Sequence, residues 1–206
     1  MIFGYALGAA ILLPCIWLGN GVRRIGSVSG GEPIPNRTGS ALLLIDLQSV
    51  FWERGPYSVA AKESAAAKIL EEVEAARAQN HPVIAVRQEW SIPSTKAVAR
   101  LTMKGQAVEG SYGTELAEQF LSLPDRIIVK RVQDAFETGE LDSLLERLDV
   151  GKLRLAGLDF NYCVQKTALA ARNRGYGITV VKDGTLSAAS MESAEKQMSS
   201  AGVAVI

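Results

Sequence analysis

Short, unbroken apolar runs alternate along this chain with longer segments in which apolar and charged residues intermix. The short runs are Ala41-Leu-Leu-Leu-Ile-Asp46, Val83-Ile-Ala-Val-Arg87, Arg126-Ile-Ile-Val-Lys130, Leu153–Ala156, Ile178–Val181 and Val203–Ile206. Such a run presents no polar face to water, so it predicts a strand covered on both sides. Val59–Asn80 is rich in Ala, Glu and Lys, lacks Gly and Pro, and predicts a helix that ends at His81-Pro82. Leu141–Leu148, Tyr162–Arg174 and Ser190–Ser200 predict further helices, and Thr114–Leu121 a short one. Gln88–Tyr112, broken by Pro93, Gly105 and Gly110, reads as an irregular excursion of the size that active-site loops have. Strands alternating with helices predict a parallel sheet with helices on both faces, a three-layer α/β/α sandwich.

The N-terminus has a different pattern. Met1–Val22 contains no charged side chain, and as a helix rising about 1.5 Å per residue it spans roughly 30 Å, the depth of a hydrocarbon core. Arg23 and Arg24 follow at once, which predicts a single transmembrane helix with the body of the protein on the cytoplasmic side. A removed signal or a lipid-modified Cys15 is the alternative. Gly26, Gly30, Gly31, Pro33, Pro35 and Gly39 mark a flexible tether. The expected organisation is therefore an anchor at 1–22, a tether at 23–40 and one catalytic domain at 41–206. Removing the chain through Ser40 is expected to leave that domain active.

Composition narrows the chemistry. Across 206 residues, Lys plus Arg and Asp plus Glu each number 22, so no broad basic field favours nucleic acid. The two cysteines, Cys15 and Cys163, do not form a disulfide framework. His81 is the one histidine and reads as a helix-end cap, so a multi-histidine metal site is excluded and no cofactor is expected.

Ligands of open parallel sheets bind beyond the carboxyl ends of the strands. Asp46 closes the first predicted strand, Lys130 closes the third, and Cys163 follows the fourth at the start of a helix. Each has a bland explanation alone, but together they supply a base, a cation and a nucleophile. Helix N-terminal amides would lower the thiol's pKa and later hold an oxyanion.

Ordered segments across the body carry a more specific signal. Leu44-Ile-Asp-Leu-Gln48 with Phe51, Gly113-Thr-Glu-Leu116, Val129-Lys130 with Ala135-Phe136, and Ala156-Gly-Leu-Asp-Phe-Asn-Tyr-Cys-Val164 lead it. Thr167-Ala168, Arg174-Gly-Tyr176 and Val180-Val-Lys-Asp183 continue it. The chain resembles the cysteine hydrolases of the isochorismatase-like superfamily, which includes nicotinamidases, N-carbamoylsarcosine amidases and ureidoacrylate amidases. The resemblance implies a catalytic triad of Asp46, Lys130 and Cys163 acting through a thioester, and an oxyanion hole made by the Asp159 and Cys163 amides. It also implies a cis Leu158–Asp159 peptide and a strand order of 3-2-1-4-5-6. With strands about 4.8 Å apart, that order makes Lys130 reach inward across roughly 10 Å, and order 2-1-3-4-5-6 would shorten the reach.

Arg87–Pro93 has none of the metal-binding histidines of nicotinamidases, and Asp159-Phe160-Asn161 departs from the small, Thr and Asp residues often found there. Gln48, Phe51, Trp52, Trp90, Tyr112, Phe136 and Phe160 are candidate pocket residues. The expected function is a membrane-tethered cysteine hydrolase of small amide or ureido C–N bonds. A catalytically silent scaffold at the membrane is the alternative, and self-association into a homo-oligomer stays open.

Overall fold

The computed structural model describes the backbone of residues 2–206 and the side chains of residues 13–206. The six strands are β1 (Gly39–Ile45), β2 (Val83–Gln88), β3 (Arg126–Lys130), β4 (Val150–Gly157), β5 (Gly177–Thr185) and β6 (Ala204–Val205). They pair in parallel throughout, in the order β3-β2-β1-β4-β5-β6. Side chains alternate across β1: Leu43 and Ile45 enter one core, and Leu42 and Leu44 enter the other. This is why the apolar runs are continuous. The Leu43 face is covered by α5 (Glu140–Arg147), α6 (Gln165–Asn173) and α7 (Glu192–Ser200); the Leu42 face is covered by α3 (Val59–Ala78).

Three segments differ from the sequence reading. The excursion after β2 contains a regular helix, α4 (Pro93–Thr102), with Pro93 at its start. A proline there gives up an N–H that has no helical partner anyway, so it opens the helix instead of breaking it. The helix expected over Thr114–Leu121 is only a 3-10 turn at Glu118–Phe120. Leu116 instead bridges Gln48 in antiparallel fashion, and Phe120 packs edge-on against Trp52, which lies in the short helix α2 (Ser49–Trp52).

The N-terminal segment departs furthest. Helix α1 (Ile2–Ile25) continues through Arg23 and Arg24. Its last turns lie on α4, where a Cβ added at Gly21 would sit 2.7 Å from the Ser94 carbonyl oxygen. Among the described residues no helix is long and apolar enough to cross a membrane. The first twelve residues of the expected span lie outside the described side chains. Residues 26–38 have no regular structure, yet they are a docked strap and not a free tether. The Ser29 amide donates to the Asp134 carboxylate at 2.8 Å, and the Ile34 amide donates to the Arg174 carbonyl at 2.8 Å. The buried Arg174 guanidinium donates to the Gly30 carbonyl at 2.5 Å and forms a paired contact with Asp142 at 2.7 and 3.1 Å.

Candidate active site

Asp46 follows β1 with a φ of 53°, in the left-handed region that side-chain-bearing residues rarely adopt. Such a conformation costs of order 1–3 kcal/mol and persists only where neighbours enforce it. Here the Asp46 amide donates to the Val86 carbonyl at 2.8 Å, and the preceding Ile45 carbonyl accepts from Leu158 at 2.8 Å. Gly157, at the end of β4, has a φ of 121° and lies so close to Ile45 that a Cβ would overlap the Ile45 carbonyl oxygen. The central strands thus converge beneath the carboxylate.

Lys130 ends β3, two strands away, and is fully buried. The reach across β2 is made over Gln88, its register partner on that strand. Lys130 Nζ lies 2.9 Å from Asp46 Oδ2 and donates to Gln88 Oε1 at 2.5 Å and to Cys163 Sγ at 3.2 Å. Cys163 lies in a π-helical turn, Phe160–Val164, that leads into α6. The second Asp46 oxygen, Oδ1, is buried without a hydrogen-bond partner among the described residues. The structure therefore brings Asp46, Lys130 and Cys163 together and adds Gln88, which the sequence reading did not single out.

Burial dominates the electrostatics. It holds the Asp46 carboxyl above the usual carboxylate range, with Lys130 working against it. Burial and then the Asp46 charge push the Cys163 thiol well above its ordinary value, and Lys130 counters only in part. Burial and the Asp46 charge thus oppose the lowering expected from helix amides. Burial alone would lower Lys130, but Asp46 and Cys163 outweigh it and keep the ammonium charged.

The expected cis bond at Leu158–Asp159 is absent, and no cis peptide occurs among the described residues. The turn is made by Gly157 in its positive-φ conformation and by Asp159 as an extended cap of the π-helical turn. The Leu158 and Phe160 amides are committed to Ile45 and Leu186, while the Asp159 amide between them has no backbone partner among the described residues. The Asp159 carboxylate is held by the Asn161 amide at 2.8 Å, the Ala188 amide at 3.0 Å and the Tyr57 hydroxyl at 3.2 Å.

A cavity of 340 Å³ opens onto the thiol, lined by Asp46, Phe51, Tyr57, Gln88, Trp90, Met103, Gln133, Leu158, Asp159, Tyr162 and Cys163. Phe51 and Trp90 are the only expected aromatics that line it. The other expected pocket residues lie elsewhere. Gln48 is buried beneath the site, where it accepts from the Gln88 amide at 2.6 Å and donates to the Thr114 carbonyl at 2.6 Å. Trp52 packs on Phe120 in the α3-side core, and Phe136 and Phe160 enter the opposite core. Tyr112 is exposed, with Arg54 over its ring. A larger groove of 680 Å³ lies at the amino ends of the strands, lined by His81, Glu72 and Arg154 among others, and holds no cysteine.

Residues 40–206 match the isochorismatase domain. The chain belongs to the isochorismatase family. Among its family relatives, a probable inactive nicotinamidase of Arabidopsis thaliana is 31% identical over 159 residues, covering 72% of this chain and 81% of that one. The ureidoacrylate amidohydrolase of Stutzerimonas stutzeri is 26% identical over 180 residues, covering 75% and 73%. The fold is shared with N-carbamoylsarcosine amidase from Thermoplasma acidophilum, with a TM-score of 0.70, 23% identity, and coverage of 82% of this chain and 95% of that one. The isochorismatase match begins one residue into β1, so α1 and the strap lie outside the matched range.

Proposed function

We propose that this isochorismatase-family hydrolase cleaves a small amide or ureido C–N bond through a Cys163 thioester. The observation that carries the reading is the buried Asp46–Lys130–Cys163 cluster at the floor of an open, mainly apolar cavity. Asp46 accepts the thiol proton as sulfur attacks the carbonyl carbon, and Lys130 pairs with the charge that moves onto sulfur. The Asp159 and Cys163 amides receive the oxyanion. Collapse of the tetrahedral intermediate expels the amine, which takes the proton back from Asp46. Water, activated by the same carboxylate, then hydrolyses the thioester to the acid and restores the thiol. A panel of uncharged small amides, assayed for ammonia release, tests the reading: turnover should be present in the native chain and absent from Cys163→Ala.

The silent-scaffold alternative draws support from the Arabidopsis relative, whose name marks it as probably inactive. Thiol reactivity separates the two. A working triad should make folded Cys163 react with iodoacetamide faster than the denatured thiol, and a scaffold should not.

We also propose that residues 1–22 hold the domain at a membrane, with the catalytic side facing the cytoplasm. The uncharged run ended by Arg23 and Arg24 supports this. The full chain should sediment with membranes and resist high-salt extraction; recovery in the supernatant would remove the anchor.

A further inference from the structure

Most of the polar side chains that line the cavity are spent on the triad cluster or on one another. Asp46 and Gln88 hold Lys130, and Tyr57 holds the Asp159 carboxylate. Three lining residues carry polar groups outside these bonds, the exposed Tyr162, the Trp90 indole N–H and Gln133, and the amide of Gln133 is the one that fits another amide. Gln133 is half-buried, three residues beyond Lys130, and brings both a donor and an acceptor to the wall.

Its backbone is pinned from the N-terminal side. The Gln133 amide donates to the Ile25 carbonyl at 3.0 Å, where α1 ends. The next residue, Asp134, is fully buried; its carboxylate accepts from the Ser29 amide at 2.8 Å and from the Phe136 amide at 2.8 Å. Ile25 packs in one apolar cluster with Trp90, Phe51 and Met103, three further lining residues. The end of α1 and the strap therefore form the outer support of one cavity wall.

Charge limits what can enter. The lining residues include no cation, and Lys130 behind them is saturated by Asp46, Gln88 and Cys163, while Asp46 and Asp159 put two carboxylates in the wall. A carboxylate-bearing substrate would be desolvated there without a partner.

We propose that Gln133 is a specificity-determining residue that reads the polar end of an uncharged amide substrate, and that Ile25–Gly30 is the device that positions it. The proposal rests on the cysteine-hydrolase reading. Two probes of similar size, uncharged iodoacetamide and anionic iodoacetate, report what the cavity admits to Cys163, with labelling located by peptide mass in the full chain.

Native Cys163 should prefer iodoacetamide by a larger factor than the denatured thiol does. Gln133→Lys should raise the iodoacetate-to-iodoacetamide rate ratio about tenfold, the equivalent of about 1.4 kcal/mol, and Gln133→Glu should lower it. Asp134→Asn, which loosens the strap, should shrink the Gln133→Lys shift. A ratio is insensitive to partial unfolding that slows both reagents alike, so a merely structural role would not move it. Ratios unchanged by both charged substitutions, with Cys163 still labelled rapidly, would overturn the role of Gln133 and leave the hydrolase reading standing. A full shift that survives Asp134→Asn would overturn the role of the strap. Failure of folded Cys163 to outpace the denatured thiol with either reagent would overturn both readings.

Discussion

Lys130 is a fully buried ammonium whose three close partners all belong to the site, so catalysis and stability should part company residue by residue. Removing one member of a buried ion pair strands the other charge, at about 3–5 kcal/mol. Lys130→Met should therefore lose activity and that much stability together in denaturant melts. Cys163→Ala removes one small group and should lose activity with little change in the unfolding midpoint. Because the three residues act as one unit, the triple variant Asp46→Asn/Lys130→Met/Cys163→Ala should be about as inactive as Cys163→Ala alone, measured by ammonia release. The pH profile has a definite sign. Protonated Asp46 cannot accept the thiol proton, and burial places its titration above the usual carboxylate range. The acid limb of kcat should thus lie higher than that of an exposed aspartate, and Asp46→Asn should abolish the limb along with the activity. At this scale the sequence was only partly legible. Asp46, Lys130 and Cys163 stood out because each ends or follows an apolar run, and Gln88 carries the same signal unnoticed. Phe136 and Phe160 misled because position in a loop says nothing about which way a ring turns.

Among the elements, β1 and β4 bear the site between them, and Gly157 allows them to meet. Gly157→Ala would place a methyl group against the Ile45 carbonyl in a φ that alanine rarely adopts. It should destabilise the fold by several kcal/mol, on the order of other special-backbone substitutions, and displace Asp46. The check is a melt together with the iodoacetamide rate of whatever fraction remains folded. All six strands could be read because strands buried on both faces leave continuous apolar runs. Helix α4 could not, because its opening proline and the glycines beyond it look like punctuation until the packing against α1 is seen.

Taken whole, the molecule is not a domain hung on a thread. The strap satisfies Asp134 and Arg174, and its loss would leave buried donors and acceptors unpaired at about 1–3 kcal/mol each. A chain that begins at Gly39 should melt well below the full chain, whereas one lacking only residues 1–12 should keep the folded domain's midpoint. Equal midpoints for the two truncations would make the strap dispensable. Glycine and proline density suggested a free linker because composition reports backbone freedom and not what the backbone touches. The layered sandwich and its strand order, by contrast, followed from patterning and family resemblance together.

The three reactive groups come from positions 46, 130 and 163, and meet only when β1, β2, β3 and β4 lie in register. Any partly folded form that lacks the outer β3 strand has Cys163 without its ammonium. During refolding, a thiol probe added at successive delays would therefore keep time for the sheet, registering the moment its edge closes on its centre.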